Sequence, residues 1–374
     1  METQKQTPES QKTHASAPAG DPAGSEPVVA VGALIPAAIK PHPKRPESRT
    51  FVQKLQRFIR LNALFLAIGT GICMYFLFHY VSFLSPIKYP LKHTAEALIP
   101  WMIFCMLFIS FSKVEISKMR PRRWHLIAVF WQLAIPFALA YALSQHPEWH
   151  HKVEIEGIIA CIISPTAAAA SVITGKLGGD ESSITTYTIL SNLGTAICVP
   201  LIFPLISPVQ MNFWDEFFYI FMRVFPMIGL PLIVAQIVRF TLKRVNHFVV
   251  TKLKDVGYYL WATTLISVSA MACSNMVNSQ EDSFTIMVLA LIGLVTTAIN
   301  FALGKGIGHL EGQRISGGQG MGQKNMAVGI WMTAAYLSPA ASIAPGCYIL
   351  WQNIMNSWQI WYRDTRHLTY TDKF

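Results

Sequence analysis

The stretch IIACIISPTAAAASVITGKLGGD, residues 158–180, decides which fold this sequence can adopt. It is long and apolar enough for a membrane helix, which needs about 20 residues to cross a hydrocarbon core of about 30 Å. Pro165 interrupts the stretch, because proline lacks a backbone donor and disfavours helical conformation at Ser164. Broken backbone inside a membrane must be buried in protein or line a cavity. The stretch therefore predicts an interrupted membrane helix whose break is buried in the protein or lines a cavity.

A second stretch, ISGGQGMGQKNMAVGIWMTAAYL at residues 315–337, has the same character. Several glycines weaken a helix just before Gln323, Lys324 and Asn325. These glycines are Gly317, Gly318, Gly320 and Gly322. The sequence predicts a second interruption there, near the centre of the bilayer by residue count.

The composition is that of an integral membrane protein. Of 374 residues, 52% are hydrophobic and 13% are charged, whereas roughly a quarter of the residues in a soluble domain are charged. The net charge of +10 comes from basic residues at the ends of apolar runs. This is the pattern of a protein that sits in a lipid bilayer and not of one that binds nucleic acid. Hydropathy predicts ten spans, at residues 62–84, 95–112, 124–143, 155–178, 183–206, 217–240, 257–277, 284–306, 316–337 and 342–361.

The basic residues also predict the orientation. With the N-terminus inside, the inner loops hold most of the lysines and arginines, and the outer loops hold only Lys88, Lys92 and Lys152. This asymmetry predicts a multi-pass protein of the plasma (inner) membrane with both termini cytoplasmic. Residues 1–50 are rich in Pro, Ala, Ser, Gly and charge, so we predict a disordered cytoplasmic tail there.

The two interrupted spans predict an internal repeat. They are the fourth and the ninth, five spans apart, and AIPFAL at 134–139 in the third span echoes AINFAL at 298–303 in the eighth. Because five is odd, the two halves have opposite orientations in the membrane. Inverted repeats with paired interrupted helices are typical of secondary transporters, which bind their substrate where the breaks meet.

Four motifs in the membrane region resemble those of a known family. They are Trp131-Gln132-Leu133, SPTAAAASVITGKLGGD at 164–180, GMGQKNMAVGI at 320–330 and APGCYILWQNIMNSW at 344–358. In them the chain is similar to the bile acid:sodium symporter family. The resemblance implies an all-α membrane fold of ten helices, a five-plus-five inverted repeat with crossed, interrupted helices four and nine. It also implies a core domain, residues 120–206 and 284–362, that moves against a panel domain, residues 57–113 and 214–277.

The resemblance further implies a set of positions that couple transport to sodium. By position these are Gln132, Ser171, Thr188, Gln319, Met321 and Gln323. The sequence departs from the family, because Ala170-Ser171 replaces Ser-Asn, Gln319 replaces a glutamate and Lys324 replaces an asparagine. Sodium is a hard cation that needs oxygen ligands, and an added ammonium opposes it. We therefore predict that sodium coupling is weakened or absent, and we predict no other cofactor and no metal.

Lys324 is the strongest candidate for a substrate contact. An intramembrane lysine costs about 2.5–3.5 kcal/mol on insertion scales, so it needs a negative partner or a loss of its proton. In one interpretation the negative partner of Lys324 is the carboxylate or sulfonate of the substrate. In the other, Lys324 is a structural residue that replaces the charge of sodium. The predicted substrate-binding residues are Lys324, Asn325, Thr166, Ser171, Asn192 and Thr297.

These observations predict a secondary transporter that moves a small organic anion, bile-acid-like or another carboxylate or sulfonate, by alternating access. The alternatives are a sodium-coupled symporter of the family type and a non-transporting membrane receptor. We predict that the protein is not an enzyme, because the spans contain no Ser–His pair, paired aspartates or HExxH motif.

Overall fold

The computed structural model describes residues 63–207, 211–366 and 370–372, so the tail predicted at residues 1–50 lies outside the described residues. Within these ranges the chain is all-helical and contains no β-strand. The described α-helices, α1 to α14 in chain order, are Ala63–Tyr80, Ser85–Phe111, Arg123–Gln145, Lys152–Ile163, Ala170–Lys176, Glu181–Ile202, Phe213–Ile228, Leu230–Thr241, Lys243–Lys252, Lys254–Val277, Ser283–His309, Arg314–Gly322, Met326–Tyr336 and Ile343–Arg366.

Several of these helices are built to cross a membrane. Five described segments are long and apolar enough, namely Pro86–Phe111, Arg123–Gln145, Glu181–Leu205, Asp255–Val277 and Ser283–His309. A sixth span results if α7 and α8, which bend by 42° at their junction, are counted as one. Large apolar side chains such as Phe130 (69% exposed) and Phe240 (66%) point outward, as expected of surfaces that face lipid. The prediction of a multi-pass, all-helical membrane protein is thus confirmed.

Both predicted interruptions are present. Helix α4 ends at Ile163 and α5 begins at Ala170, while α12 ends at Gly322 and α13 begins at Met326. The two non-helical segments lie against each other as an antiparallel bridge between Thr166 and Lys324. Two backbone hydrogen bonds join the segments on either side of this bridge. Ala167 N donates to Gln323 O (2.9 Å) and Asn325 N donates to Pro165 O (2.7 Å).

The second interrupted helix is held by backbone contact with α11. A Cβ atom on Gly304 would overlap the backbone of Gly317, and one on Gly308 would overlap the backbone of Gln313. Glycine at these positions lets two helix backbones approach closely, as small residues do at membrane helix interfaces. The close packing fixes α12, and with it the position of the second break.

The far end of α12 is capped by the C-terminal segment. The Asp372 carboxylate accepts hydrogen bonds from Ile315 N (2.9 Å), Ser316 N (2.8 Å) and Ser316 Oγ (2.6 Å) in the first turn of α12. Asp372 N donates to the carbonyl of Gly178 (3.2 Å), a residue with a positive φ of 76°. We call this contact the C-terminal clasp. It ties the segment 370–372 to the first turn of α12 and to Gly178, two residues beyond the end of α5.

Candidate functional site

The centre of the site is the pair of helix breaks, where the ends of four short helices meet. The negative dipole ends of α4 and α12 face this point, and so do the positive ends of α5 and α13. Lys324 lies between them and is only 1% exposed. Its Nζ donates to Ile162 O (3.0 Å) in the last turn of α4, and its backbone N donates to Gln352 Oε1 (2.9 Å) on α14. The Lys324 Nζ therefore lies where the final carbonyls of α4 lack partners within the helix.

A saturated network of polar side chains supports the first break. Gln132 Nε2 donates to Thr195 Oγ1 (3.0 Å) and Ile163 O (3.3 Å), while Gln132 Oε1 accepts from Ser191 Oγ (2.8 Å) and Tyr187 OH (3.2 Å). All of these side chains are buried. Because Gln132 has no remaining hydrogen-bonding capacity, its role in this structure is to hold α3, the end of α4 and α6 together.

Thr166 connects this network to the second break. Its Oγ1 donates to Gly320 O (2.8 Å) on α12, and its backbone O accepts from Asn192 Nδ2 (3.3 Å) on α6. Thr166, Gln132 and Asn192, which the sequence placed in three separate spans, thus meet at one point.

Polar atoms on the other side of the crossing lack partners. Among the described residues, Gln319 Nε2 and Oε1, Gln323 Oε1 and Asn325 Nδ2 are buried without a hydrogen bond, as is Asn192 Oδ1. Such a group costs about 1–3 kcal/mol when nothing satisfies it. These atoms are the places where a bound ion, water or substrate would gain most.

Three cavities follow one another along α2. The Arg223 cavity, of about 630 Å³, includes Glu96, Trp101 and Phe104 of α2. The Lys324 cavity, of about 120 Å³, includes Met106. The Lys113 cavity, of about 430 Å³, includes Ser110 and Phe111 at the end of α2. The row of cavities runs between α2 on one side and the interrupted helices on the other, with its narrowest part at Lys324.

The remaining predicted residues occupy different positions. Ser171 and Thr188 line the Lys113 cavity, and their hydroxyls donate to Ala168 O (3.2 Å) and Ile184 O (2.9 Å). Met321 is buried in a hydrophobic cluster around Trp124. Thr297 is also buried and donates to Gly293 O (2.7 Å) of its own helix, and it lines none of the three cavities.

Sequence reasoning missed several participants. Ser191 and Thr195 complete the Gln132 network, Gln352 holds the backbone of Lys324, and Arg223 lines the largest of the three cavities. Arg223 had a visible signal, since a charged residue inside a predicted span marks a functional position. Ser191 and Thr195 gave no such signal in the sequence, because serine and threonine are common in membrane helices and usually bond locally.

The fold and the paired helix breaks define a multi-pass membrane protein of the kind that carries solutes. The profile of the Sodium Bile acid symporter family matches residues 97–279, about half of the chain, and the chain belongs to this family. The predicted membership of the family is thereby confirmed, and the motifs at residues 320–330 and 344–358 lie beyond the matched residues. The family consists of transporters, in agreement with the prediction that the protein is not an enzyme. No curated protein matches the chain significantly. The first break lies inside the matched residues, whereas Lys324 lies beyond them.

Proposed function

We propose that the protein is a secondary transporter that moves a small organic anion by alternating access, with the Lys324 ammonium in place of a coupling sodium ion. The observation that carries the proposal is the 3.0 Å hydrogen bond from Lys324 Nζ to Ile162 O. Transporters with broken helices hold their coupling cations at the C-terminal ends of half-helices and at unwound carbonyls. Lys324 provides a cation in that position as part of the chain.

This placement favours one of the two interpretations of Lys324. The side chain is almost fully buried and already bonded to a carbonyl, so its charge is balanced by the dipole of α4. A substrate carboxylate is therefore not needed as its direct partner. A covalently fixed cation cannot be released with the substrate, so transport would not consume a sodium gradient. The carrier would then work as a uniporter, an exchanger or a proton-linked transporter.

The substrate anion has a separate place to bind at the crossing. Asn325 and Gln323 line the Lys324 cavity, and Asn325 Nδ2 is a buried donor without a partner. Met326 and Ala327, in the first turn of α13, line the same cavity. The first amides of a helix lack partners within the helix, and its dipole favours anions there. A carboxylate or sulfonate would accept hydrogen bonds from these groups.

The proposal includes the domain division implied by the family resemblance. Ten spans in a five-plus-five inverted repeat would form a core, residues 120–206 and 284–362, and a panel, residues 57–113 and 214–277. The row of cavities supports this division. Around Lys324, for example, α2 and α10 contribute Met106 and Trp261, while the break segments contribute Ala168 and Gln323. Both termini would be cytoplasmic, because the inner loops of this topology carry most of the basic residues.

A second candidate, a sodium-coupled symporter, is favoured by Gln319. Its two side-chain polar atoms are buried without partners, and it occupies the position of the glutamate that the family resemblance assigns to sodium binding. A cation held by Gln319 Oε1 would satisfy one of these atoms. Lys324 argues against this candidate, because a fixed positive charge near the site repels a mobile one.

Uptake into proteoliposomes tests the two candidates. Radiolabelled taurocholate and smaller carboxylates would be offered to the full chain with a sodium gradient and with a potassium gradient of equal size. We expect uptake of at least one anion at equal rates in both gradients, and a loss of that uptake in Lys324→Ala. Exposed Lys243, replaced by glutamine, is the matched control. Uptake that requires sodium would establish the second candidate, and no uptake of any anion would refute both.

A further inference from the structure

A further cavity lies between α1, α2 and α10. Most of its walls are apolar, and they include Met74 and Phe78 of α1, Leu91 and Ile99 of α2, and Ile266 and Ala270 of α10. Two lysines of the first turns of α2, Lys88 and Lys92, also line it. We call it the Lys88 cavity. Its volume is about 190 Å³.

The cavity arises from the way three helices pack. Helices α1 and α2 each pack along α10, whereas they touch each other only sparsely. A Cβ atom on Gly71 would overlap the carbonyl oxygen of Ile266, so the backbone of α1 lies directly against α10. The Lys88 cavity is the wedge that remains between α1 and α2, and α10 is its floor.

Helix α10 separates this wedge from the Lys324 cavity. Thr264 and Leu265 line the Lys324 cavity, whereas Ala270 lines the Lys88 cavity from the opposite side of the helix. None of the described residues that line the Lys88 cavity belongs to an interrupted helix. At its border, Glu96 and Met271 also line the Arg223 cavity. The floor and walls of the wedge are thus distinct from the crossing.

The Lys88 cavity extends from the membrane surface into the hydrocarbon. Helix α2 has 27 residues, about 40 Å of helix, so its ends pass beyond a hydrocarbon core of about 30 Å. Lys88 is the fourth residue of α2, and the nearby Tyr80 and Tyr89 are 74% and 69% exposed. Exposed tyrosines are typical of the headgroup level. Ile99 lies eleven residues further along α2, about 16 Å deeper.

The end of the cavity at the membrane surface carries positive charge. Lys88 and Lys92 are one turn apart, so they lie on the same side of α2. Lys92 pairs with Glu96 at 3.8 Å, and the two side chains are 54% and 38% exposed. An exposed pair of this kind is weak. None of the ion pairs between described residues includes Lys88, so this lysine is available to an external anion.

The size and shape of the cavity indicate a chain and not a ring system. Its volume of about 190 Å³ is below the range of about 300–1,000 Å³ that encloses drug-sized ligands. Spread over a depth of about 16 Å, this volume is a narrow slot. A flexible acyl chain can place part of its length in such a slot while its polar end stays at the surface.

We infer that the Lys88 cavity binds one acyl chain of an anionic phospholipid, with the lipid phosphate held by Lys88 and Lys92. An ammonium and a phosphate form strong, charge-assisted hydrogen bonds. The chain gains little by leaving the surrounding lipid, because lipid tails are as apolar as the cavity walls. The lysines therefore decide which lipid is retained. The site requires only a membrane and is independent of the proposed function.

Native mass spectrometry of the full chain, released from a neutral detergent, tests the inference. The protein would be titrated with dioleoyl phosphatidylglycerol and with dioleoyl phosphatidylcholine, which has the same chains and no net charge. We expect the first phosphatidylglycerol to bind about 5-fold more tightly, the factor that one basic residue near the membrane surface contributes. Lys88→Gln should lose this preference, and Lys243→Gln, which changes an exposed lysine of α9, should keep it. Ala270→Phe fills the slot and should weaken the binding of both lipids.

A competition with glycerol 1-phosphate separates a lipid site from a simple anion site. This compound has the phosphate without the chains, and we expect that an equal concentration leaves the bound lipid in place. Displacement of the lipid would overturn the inference, as would equal binding of the two lipids or a preference that survives in Lys88→Gln. A dimer that excludes lipid and that Ala270→Phe dissociates would assign the wedge to a second copy of the chain instead. Circular dichroism equal to that of the unmodified protein would show that Lys88→Gln is folded.

Discussion

The two helix breaks differ in how their polar groups are satisfied. In the first, Pro165 ends α4, and the neighbouring Thr166 is bonded through its hydroxyl and its carbonyl. In the second, glycines precede the break, Gln323 and Asn325 keep unpartnered atoms, and Lys324 brings a charge. Interruption alone therefore does not make a binding site. In the proposed function the first break is a scaffold, and the second break, with its unpartnered polar atoms, supplies the binding groups.

Leucine in place of a glutamine that supports the first break, and of one within the second, gives the largest expected contrast. Gln132→Leu would remove the acceptor of the buried Ser191 and Tyr187 hydroxyls, whereas Thr195 would keep its hydrogen bond to Ile163 O. At about 1–3 kcal/mol for each unsatisfied group, we expect a loss of about 3–5 kcal/mol in the free energy of unfolding. Gln323→Leu removes an acceptor that is already unpartnered, so its expected change is below about 1 kcal/mol. Denaturant unfolding in detergent measures both, and equal losses would remove the distinction between the breaks.

Lys324→Met removes the charge of the second break while keeping an unbranched side chain. The carbonyl of Ile162 would lose its partner, at a cost of about 1–3 kcal/mol in the free energy of unfolding. We expect uptake to fall by about 100-fold, because the fixed cation of the transport cycle is gone. Lys324→Arg serves as the control that keeps the charge. Normal uptake by Lys324→Met would show that the ammonium is only a structural cap.

The double variant Gln319→Glu, Lys324→Asn converts the second break to the residues that the family resemblance associates with sodium. It adds a carboxylate and removes the competing ammonium, so sodium should bind and stabilise the folded state. Sodium at a hundred times its dissociation constant would add about 2.7 kcal/mol. The thermal midpoint should rise with sodium chloride and not with potassium chloride. A midpoint that responds to both salts alike would mean that other parts of the sodium site are missing.

Asp372→Asn gives the smallest expected effect and lies away from both breaks. The change removes the negative charge that faces the N-terminal end of α12 and keeps one of the two acceptor oxygens, which can serve either Ile315 N or Ser316 N. Loss of a helix cap costs about 1 kcal/mol, and the conservative change should cost less than that. Differential scanning fluorimetry should show a shift of the midpoint in Asp372→Ala and a smaller one in Asp372→Asn. Uptake should be unchanged in Asp372→Asn.

The positions of the breaks followed from the sequence because they depend on local chemistry. Proline and glycine act on their own backbone, so Pro165 and Gly322 mark helix ends without knowledge of the tertiary structure. Hydropathy predicted ten spans, and five or six of them coincide with described helices that meet the criteria of length and apolarity. The ten-span repeat and the domain division stay predictions.

The hydrogen-bond partners of the site residues could not be predicted from the sequence in the same way. The sequence left open whether Lys324 meets a substrate carboxylate or sulfonate or replaces the charge of sodium, and it did not point to the backbone carbonyl of Ile162, to which Nζ donates. A backbone carbonyl acceptor cannot be recognised from residue type, because it becomes available only where a helix ends elsewhere in the chain. Thr297 shows the opposite case. Its polarity suggested a role in the site, and its hydroxyl is bonded to Gly293 one turn earlier, as threonines in helices often are.

The C-terminal clasp has a practical consequence for following motion. Asp372 is bonded to α12 and to Gly178, so in the proposed division the segment 370–372 travels with the core. Helix α9, Lys243–Lys252, follows α8 and would belong to the panel in that division. A pair of spectroscopic labels at Tyr370 and Lys252 would then measure the distance between the proposed core and panel. The distribution of distances between the labels would report how many arrangements the carrier visits, before any substrate is known.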